Sequence, residues 1–286
     1  MATLKEFRGD QPTWCPGCGH FSVMASLQKA ASEIGVEPHD LAIISGIGCS
    51  GKVSEYTRTY GFHTIHGRSV PIAQGAALAN RNLKVVASGG DGDGYGIGMG
   101  HFIHAVRRNI NMTYVVMDNH IYGLTKGQTS PTSDRGFVTK SSPEGSIESP
   151  VQPLETALVN GITFLAQGFS GDIKQLNELI KAAMEHNGFA LVNVFSPCVT
   201  FNKVNTYDYY KENLVNLDTI KDYEINNRAQ ALSLLQEKNG LVTGIIFKDD
   251  KPSFTDLDES YPKNPITSQN LIVDNSILEA IEKQFQ

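Results

Sequence analysis

The sequence predicts an α/β protein, a parallel sheet with helices on both faces. Three observations predict it. Short apolar runs of strand length alternate with helical segments: LAIISGIG at 41–48, KVVAS at 84–88, TYVVMD at 113–118, ITFLAQ at 162–167 and ALVNVFS at 190–196. Alternation of this kind places helices over both faces of a parallel sheet. The first three runs empty into glycine-rich or polar loops at 46–52, 89–96 and 119–128. Ligands of such sheets bind beyond the carboxyl ends of the strands, so these loops are expected to converge on one site.

The elements follow in order. FSVMASLQKAASEI reads as a helix from about 20 to 34, closed by Gly35. After the strand at 41–48, VPIAQGAALAN at 70–80 reads as a helix of small residues suited to close packing. KVVAS is followed by GGDGDGYGIGMG and a helix through HFIHAVRRN. TYVVMD leads into the loop NHIYGLTKGQTSPTS. Further helices are expected near 172–186 and 226–237. The polar, proline-rich stretch 248–270 has no periodicity and is expected to be an arm that orders on a partner. The expected organisation is an α/β domain over 1–205 and a helical, irregular, partner-contacting extension over 206–286.

Composition narrows the function. The 286 residues are 40% hydrophobic and 19% charged, an ordinary globular balance with length for a large core. With 24 Lys and Arg against 30 Asp and Glu, the formal charge of −6 argues against a nucleic-acid binder. No apolar run approaches the roughly 18 residues that a membrane span needs. The opening MATLKEFRGD is too polar for a signal peptide, so a cytoplasmic protein is expected.

The four cysteines lie in glycine- or proline-rich settings rather than inside apolar runs. Cys15 and Cys18 stand in WCPGCGH, Cys49 in GIGCSGK and Cys198 in FSPCV. A bent backbone there can turn several thiolates toward one centre. The cysteines by themselves leave a 4Fe–4S cluster and a structural zinc both open.

GDGDG follows the strand KVVAS and precedes a helix. Glycines let backbone amides approach phosphate oxygens, and a helix amino terminus favours negative charge. Asp91 offers a hard oxygen for magnesium, Asn119 beyond the next strand a neutral one, and Ile121 its backbone carbonyl. G-x-G-x-x-G can be traced in this run, but its place in the strand order does not suit a dinucleotide fold. Strand, GDG, helix, strand and Asn is instead the layout of a thiamine diphosphate and magnesium motif.

Taken together, WCPGCG, GIGCSGK, HTIHGR, GDGDG, NHIYGLTKGQTSPT and SPC resemble the beta subunit of 2-oxoacid:ferredoxin oxidoreductases, over about residues 12 to 205. The resemblance implies a thiamine-diphosphate-binding fold. It matches Cys15, Cys18, Cys49 and Cys198 to the ligands of one 4Fe–4S cluster. It matches Asp91, Asn119 and the carbonyl of Ile121 to magnesium ligands. Gly92 and Asp93 match the diphosphate turn; Ile47, Gly48, Cys49, Ser50 and His66 line the cofactor; Gly123 and Leu124 close over it. His120 departs from the Gln that relatives often carry.

The activity implied is coenzyme A-dependent oxidative decarboxylation of a 2-oxoacid, pyruvate or 2-oxoglutarate, with electrons passed to ferredoxin. Thiamine diphosphate needs a glutamate at its pyrimidine ring, and no glutamate here occupies a motif suited to that role. An alpha subunit in a heterodimer is expected to supply it. Lys52 and Lys126, in the loops nearest the reaction centre, are expected to receive the substrate carboxylate. Two other readings have distinct signatures. A zinc-binding α/β module would be colourless where an iron–sulfur protein is brown, and a self-sufficient thiamine decarboxylase would carry its own glutamate.

Overall fold

The computed structural model describes residues 2–270, 272 and 274–285. Its sheet has eight strands: β1 (Leu41–Ser45), β2 (Tyr60–His63), β3 (Lys84–Gly90), β4 (Met112–Asp118), β7 (Phe164–Phe169), β8 (Phe189–Phe195), β9 (Val215–Asn216) and β10 (Val242–Lys248). A separate hairpin pairs β5 (Ile121–Tyr122) with β6 (Gln128–Thr129). The sheet order is β2-β1-β3-β4-β8-β7-β10-β9. All pairings are parallel except β10 with β7.

Alternation within each strand sends side chains to two cores. Ala42, Ile44, Val85, Ala87, Tyr114, Val116 and Leu191 face one side, under the helices Ser69–Ala79, Met99–Arg108, Pro153–Val159 and Arg228–Glu237. Leu41, Ile43, Val86, Val115, Met117 and Val192 face the other, under His20–Glu33 and Ile173–Glu185. The strands are therefore apolar on both faces, as their sequences require. Among the described residues, no helix is long and apolar enough to cross a membrane.

The expected helices and buried strands all form, each within a few residues of its sequence bounds. Several features differ. VTGIIFK, read in the sequence as no element, is the antiparallel β10, and YGFH forms the exposed edge strand β2. The stretch after GDG is not a loop but a π-helical turn, Gly92–Ile97, with Gly96 departing from helical geometry. The region after 205 is not only helical and irregular, since β9 and β10 extend the main sheet.

Nor is 248–270 an arm free of the body throughout. Asp249 N donates to Thr163 O at 2.8 Å, and a Ser253–Asp256 capping box starts the short helix Phe254–Leu257. Phe254 packs on the first core, the Tyr261 hydroxyl donates to the Leu78 carbonyl, and Arg81 lies over the Tyr261 ring at 5.7 Å. These attachments are caps and single backbone bonds, which leave no periodic trace in sequence.

Asn109 ties this segment to the sheet. It ends the helix Met99–Arg108 in the left-handed conformation, at φ 52°. Its Oδ1 accepts from Phe189 N at 2.8 Å and Thr163 Oγ1 at 2.7 Å, and its Nδ2 donates to Pro252 O at 3.1 Å. Asn109→Ala removes all three bonds and adds left-handed strain, so it should destabilise the fold by about 2–4 kcal/mol. Asn109→Gly, which tolerates that backbone, should recover part of the loss. Urea unfolding of the two variants against the parent measures both.

Candidate active site

Strands β1, β3, β4 and β8 are consecutive in the sheet and point the same way. Their carboxyl ends therefore deliver residues 46–52, 91–98, 119–128 and 196–201 to one edge. A cavity of about 270 Å³ opens there. It is lined by Ile47, Gly48, Cys49, Ser50, His66, Asp91, Gly92, Asp93, Asn119, Ile121, Gly123 and Leu124, so every residue expected to bind the cofactor or magnesium meets in it. Among the described residues, its lining includes no glutamate.

Asp91 caps the π-helical turn and is 2% exposed. Its Oδ2 accepts from Thr132 Oγ1 at 2.8 Å. Burial, and then the charge of Asp118 behind it, push its carboxyl up to about 6. A cation at this carboxylate would relieve both effects. Asn119 Oδ1 accepts from Ile121 N at 3.1 Å, in an Asx turn, and keeps a second lone pair. Asn202 Nδ2 holds the Asn119 carbonyl at 3.0 Å. Gly92 lets the chain pass the Tyr122 ring, since a Cβ there would meet that ring at 2.1 Å. The Tyr122 hydroxyl in turn donates to Gly92 O at 3.2 Å.

Asp93 lines the cavity, but its carboxylate serves the loops. Oδ1 accepts from Ile47 N and from Gly67 N, each at 2.9 Å. His66 Nδ1 stands 3.1 Å from the same oxygen, outside hydrogen-bond alignment. A Cβ on Gly46 would fall 2.0 Å from Asp93 Oδ2, so only glycine fits there. Asp93 thus fixes both the GIGCS loop and the IHG turn.

All four cysteines line a second cavity of about 300 Å³. It shares His20, Cys49, Asn119, Gly123 and Leu124 with the first. Trp14 Nε1 donates to Cys49 O at 2.7 Å, and Gly19 N to Pro197 O at 3.3 Å, which joins the amino-terminal segment to the loops after β1 and β8. Burial pushes the Cys18 thiol up to about 12, with Cys198, Cys49 and Cys15 adding to the rise. Burial and the neighbouring thiols likewise raise Cys49. Thiolates gathered here call for positive charge among them. Gly123 closes the gap: a Cβ on it would lie 3.4 Å from Cys198 Sγ and 4.0 Å from Cys49 Sγ. The thiols are free, and among the described residues no three His, Cys, Asp or Glu side chains are arranged to hold a metal ion.

Lys52 and Lys126 do not line the first cavity; both line the cysteine cavity beside it. Lys52 Nζ donates to Thr13 Oγ1 at 3.4 Å. Three participants went unassigned in the sequence reading: Tyr122, Thr132 and Asp118. The acid ending the buried strand TYVVMD was the available signal for Asp118. Thr132 and Tyr122 carry none that a linear pattern reveals. His20 is a packed residue: its Nδ1 meets Ser196 Oγ at 2.7 Å, and burial lowers its pKa to about 4.

Asp93→Ala should release two loops at once and cost about 2–4 kcal/mol, since hydrogen bonds to a buried charge are among the stronger ones. Asp93→Asn, which keeps the accepting oxygen, should lose less. Chemical denaturation, with limited proteolysis of residues 46–52, checks the order.

Comparison with known proteins accords with this geometry. Residues 46–194 match the C-terminal TPP binding domain of thiamine pyrophosphate enzymes. Residues 198–263 match the C-terminal part of the pyruvate ferredoxin oxidoreductase beta subunit. A 2-oxoacid:ferredoxin oxidoreductase subunit beta from Sulfolobus sp is 47% identical over 213 residues, 74% of this chain and 70% of that one. The subunit of the same name from Saccharolobus solfataricus is 46% identical over 220 residues, 76% of this chain and 71% of that one. A solved 2-oxoglutarate:ferredoxin oxidoreductase from Magnetococcus marinus, with 2-oxoglutarate, coenzyme A and succinyl-CoA bound, superimposes with a TM-score of 0.90 at 40% identity, covering 98% of this chain and 96% of that one. The chain is therefore a subunit of a thiamine-dependent oxidoreductase and belongs to the beta subunits of the 2-oxoacid:ferredoxin oxidoreductases.

Proposed function

We propose that this chain binds thiamine diphosphate with magnesium in the first cavity and one 4Fe–4S cluster in the second. Together with an alpha subunit, it converts a 2-oxoacid and coenzyme A to an acyl-CoA and carbon dioxide, passing electrons to ferredoxin in the cytoplasm. One observation carries the reading. The cavity that gathers Asp91, Gly92 and Asn119 shares Cys49 with the cavity that all four cysteines line. Carbon chemistry and electron removal then lie on two sides of one residue.

Bound thiamine diphosphate supplies a carbon nucleophile and a sink for the electron pair left when carbon dioxide departs, and the cluster supplies one-electron transfer. The chain's own residues hold and shape. Asp91, Asn119 and the Ile121 carbonyl hold magnesium. The backbone at Gly92 approaches the diphosphate, and Asp93 keeps Ile47 to Ser50 and His66 in place around the cofactor. Gly123 and Leu124 cover it and exclude water. Cys15, Cys18, Cys49 and Cys198 hold the iron. With no glutamate in the cavity lining among the described residues, proton removal at the pyrimidine falls to the alpha subunit. Residues 206–286, of which β9 and β10 extend the main sheet, contribute to contact with that subunit. Lys52 and Lys126, on the cysteine side of the shared wall, receive substrate carboxylates at the mouth between the cavities.

Asp91→Ala should abolish magnesium-dependent thiamine diphosphate binding while the fold persists. Calorimetry on the two-subunit enzyme measures this, and equal affinity in variant and parent would sink the assignment. Cys198→Ala should lose its iron and loosen residues 12–19, because one bound group joins the amino-terminal segment to the loop after β8. Iron analysis and hydrogen exchange read the two effects.

Lys126 bears on substrate choice. 2-Oxoglutarate carries a second carboxylate that pyruvate lacks, and a lysine facing that charge would favour it over pyruvate. Lys126→Ala should raise KM for 2-oxoglutarate at least about tenfold more than for pyruvate. An equal loss for both substrates would place Lys126 on the shared carboxylate instead.

A further inference from the structure

Behind the first cavity lies a buried loop that the proposed chemistry leaves unused. Residues 130–133 follow β6 and pack beneath the magnesium-binding turns. Thr132, 3% exposed, places Oγ1 2.8 Å from Asp91 Oδ2 and 2.9 Å from Asp118 Oδ1. Asp118 is itself 3% exposed, ends β4, and lies outside the lining of the first cavity. The loop is held on several sides. His120 Nδ1 meets Thr132 O at 2.6 Å, Ser133 Oγ donates to His120 O at 2.6 Å, and Val151 N donates to Pro131 O at 2.8 Å. Thr132 is therefore a fixed point, and Asp91 is oriented against it.

A hydroxyl has one proton to donate. At Thr132 that proton lies between two buried carboxylates and serves one at a time. Asp118 has further partners in His120 N at 3.3 Å and Asn193 Nδ2 at 3.4 Å. Among the described residues, the side-chain hydrogen bonds to Asp91 come from hydroxyls, Thr132 with Ser130 beside it, so its orientation depends on hydroxyls far more than that of Asp118 does. A carboxylate anchored through one oxygen presents the other in a set direction, whereas an unanchored one rotates and repels its neighbour.

We propose that Thr132 is a positioning residue for magnesium: its hydroxyl anchors Asp91 Oδ2 so that the carboxylate meets the cation of the cofactor in one orientation, with Asp118 as the competing acceptor behind it. This rests on the reading that Asp91 is a magnesium ligand. Groups that orient a metal ligand typically contribute about 10- to 100-fold in metal affinity.

The test uses the assembled two-subunit enzyme, stripped of magnesium with a chelator. Magnesium is titrated in the presence of thiamine diphosphate, and the concentration for half-maximal cofactor binding is read by calorimetry. Thr132→Val, which keeps the shape and removes the hydroxyl, should raise that concentration about 10- to 100-fold. Thr132→Ser should return it close to the parent value, a rescue that a packing role would not give. Should the valine variant be insoluble, Thr132→Ala removes the same hydroxyl without added volume and must show the same shift. Parent-like magnesium dependence in Thr132→Val or Thr132→Ala overturns the proposal, and so does a serine variant as weak as the valine one. If cofactor binding to the parent needs no magnesium, the magnesium reading fails and this inference fails with it.

Discussion

Four neighbouring parallel strands that end at one edge are the constraint on which the rest of this molecule depends. β1, β3, β4 and β8 lie side by side, so their carboxyl ends are separated by strand spacings of roughly 5 Å. Loops far apart in the chain are thereby forced together: the GIGCS loop, the GDG turn, the Asn119 hairpin and the SPC loop. Neither cavity belongs to any one element. Each exists because the sheet sets four loop origins at fixed intervals, and because the helices on both faces keep that sheet rigid.

Within that frame, buried charge decides the detail. Asp93 is spent on the backbone amides of Ile47 and Gly67, so it stabilises loops whose glycines would otherwise be free. Asp91 and Asp118 stand on either side of one hydroxyl. Burial disfavours the imidazolium of His120, yet Asp118, Asp91, the Thr132 carbonyl and Asp134 outweigh it and raise its pKa. This gives His120 a physical place. It sits against the acids behind the cavity, stacked on Phe195 with ring centroids 6.0 Å apart, and is not among the residues lining the cofactor cavity. The cysteines show the opposite balance, thiols raised by burial and by one another. Both sites thus concentrate ligand atoms of one kind where a cation is the natural complement.

The two cavities meet along a wall of His20, Cys49, Asn119, Gly123 and Leu124. Gly123 lies in that wall beside two thiols, where an added Cβ would make ordinary contact with both. Cys49 lines both cavities while its neighbours Gly48 and Ser50 line only the first, so a single turn after β1 serves both. Lys52 and Lys126 line the cysteine cavity and not the first one.

The sequence by itself determined the strands, the major helices and the residues that meet at the strand ends. Those signals are local: apolar runs of strand length, helical periodicity, and Gly, Asp, Asn and Cys in turns where their chemistry is hard to explain otherwise. It did not reveal β10, whose antiparallel place beside β7 depends on what the rest of the sheet leaves uncovered. It did not reveal the docking of 249–261, which rests on Asn109, one capping box and isolated backbone bonds. The aim of Asp93 into loop amides, the side of the wall on which Lys52 and Lys126 lie, and the pairing of Thr132 with Asp91 and Asp118 were decided only by tertiary structure. Each is a contact between residues far apart or on different loops, and direction and distance between such residues are properties of packing that no linear pattern encodes.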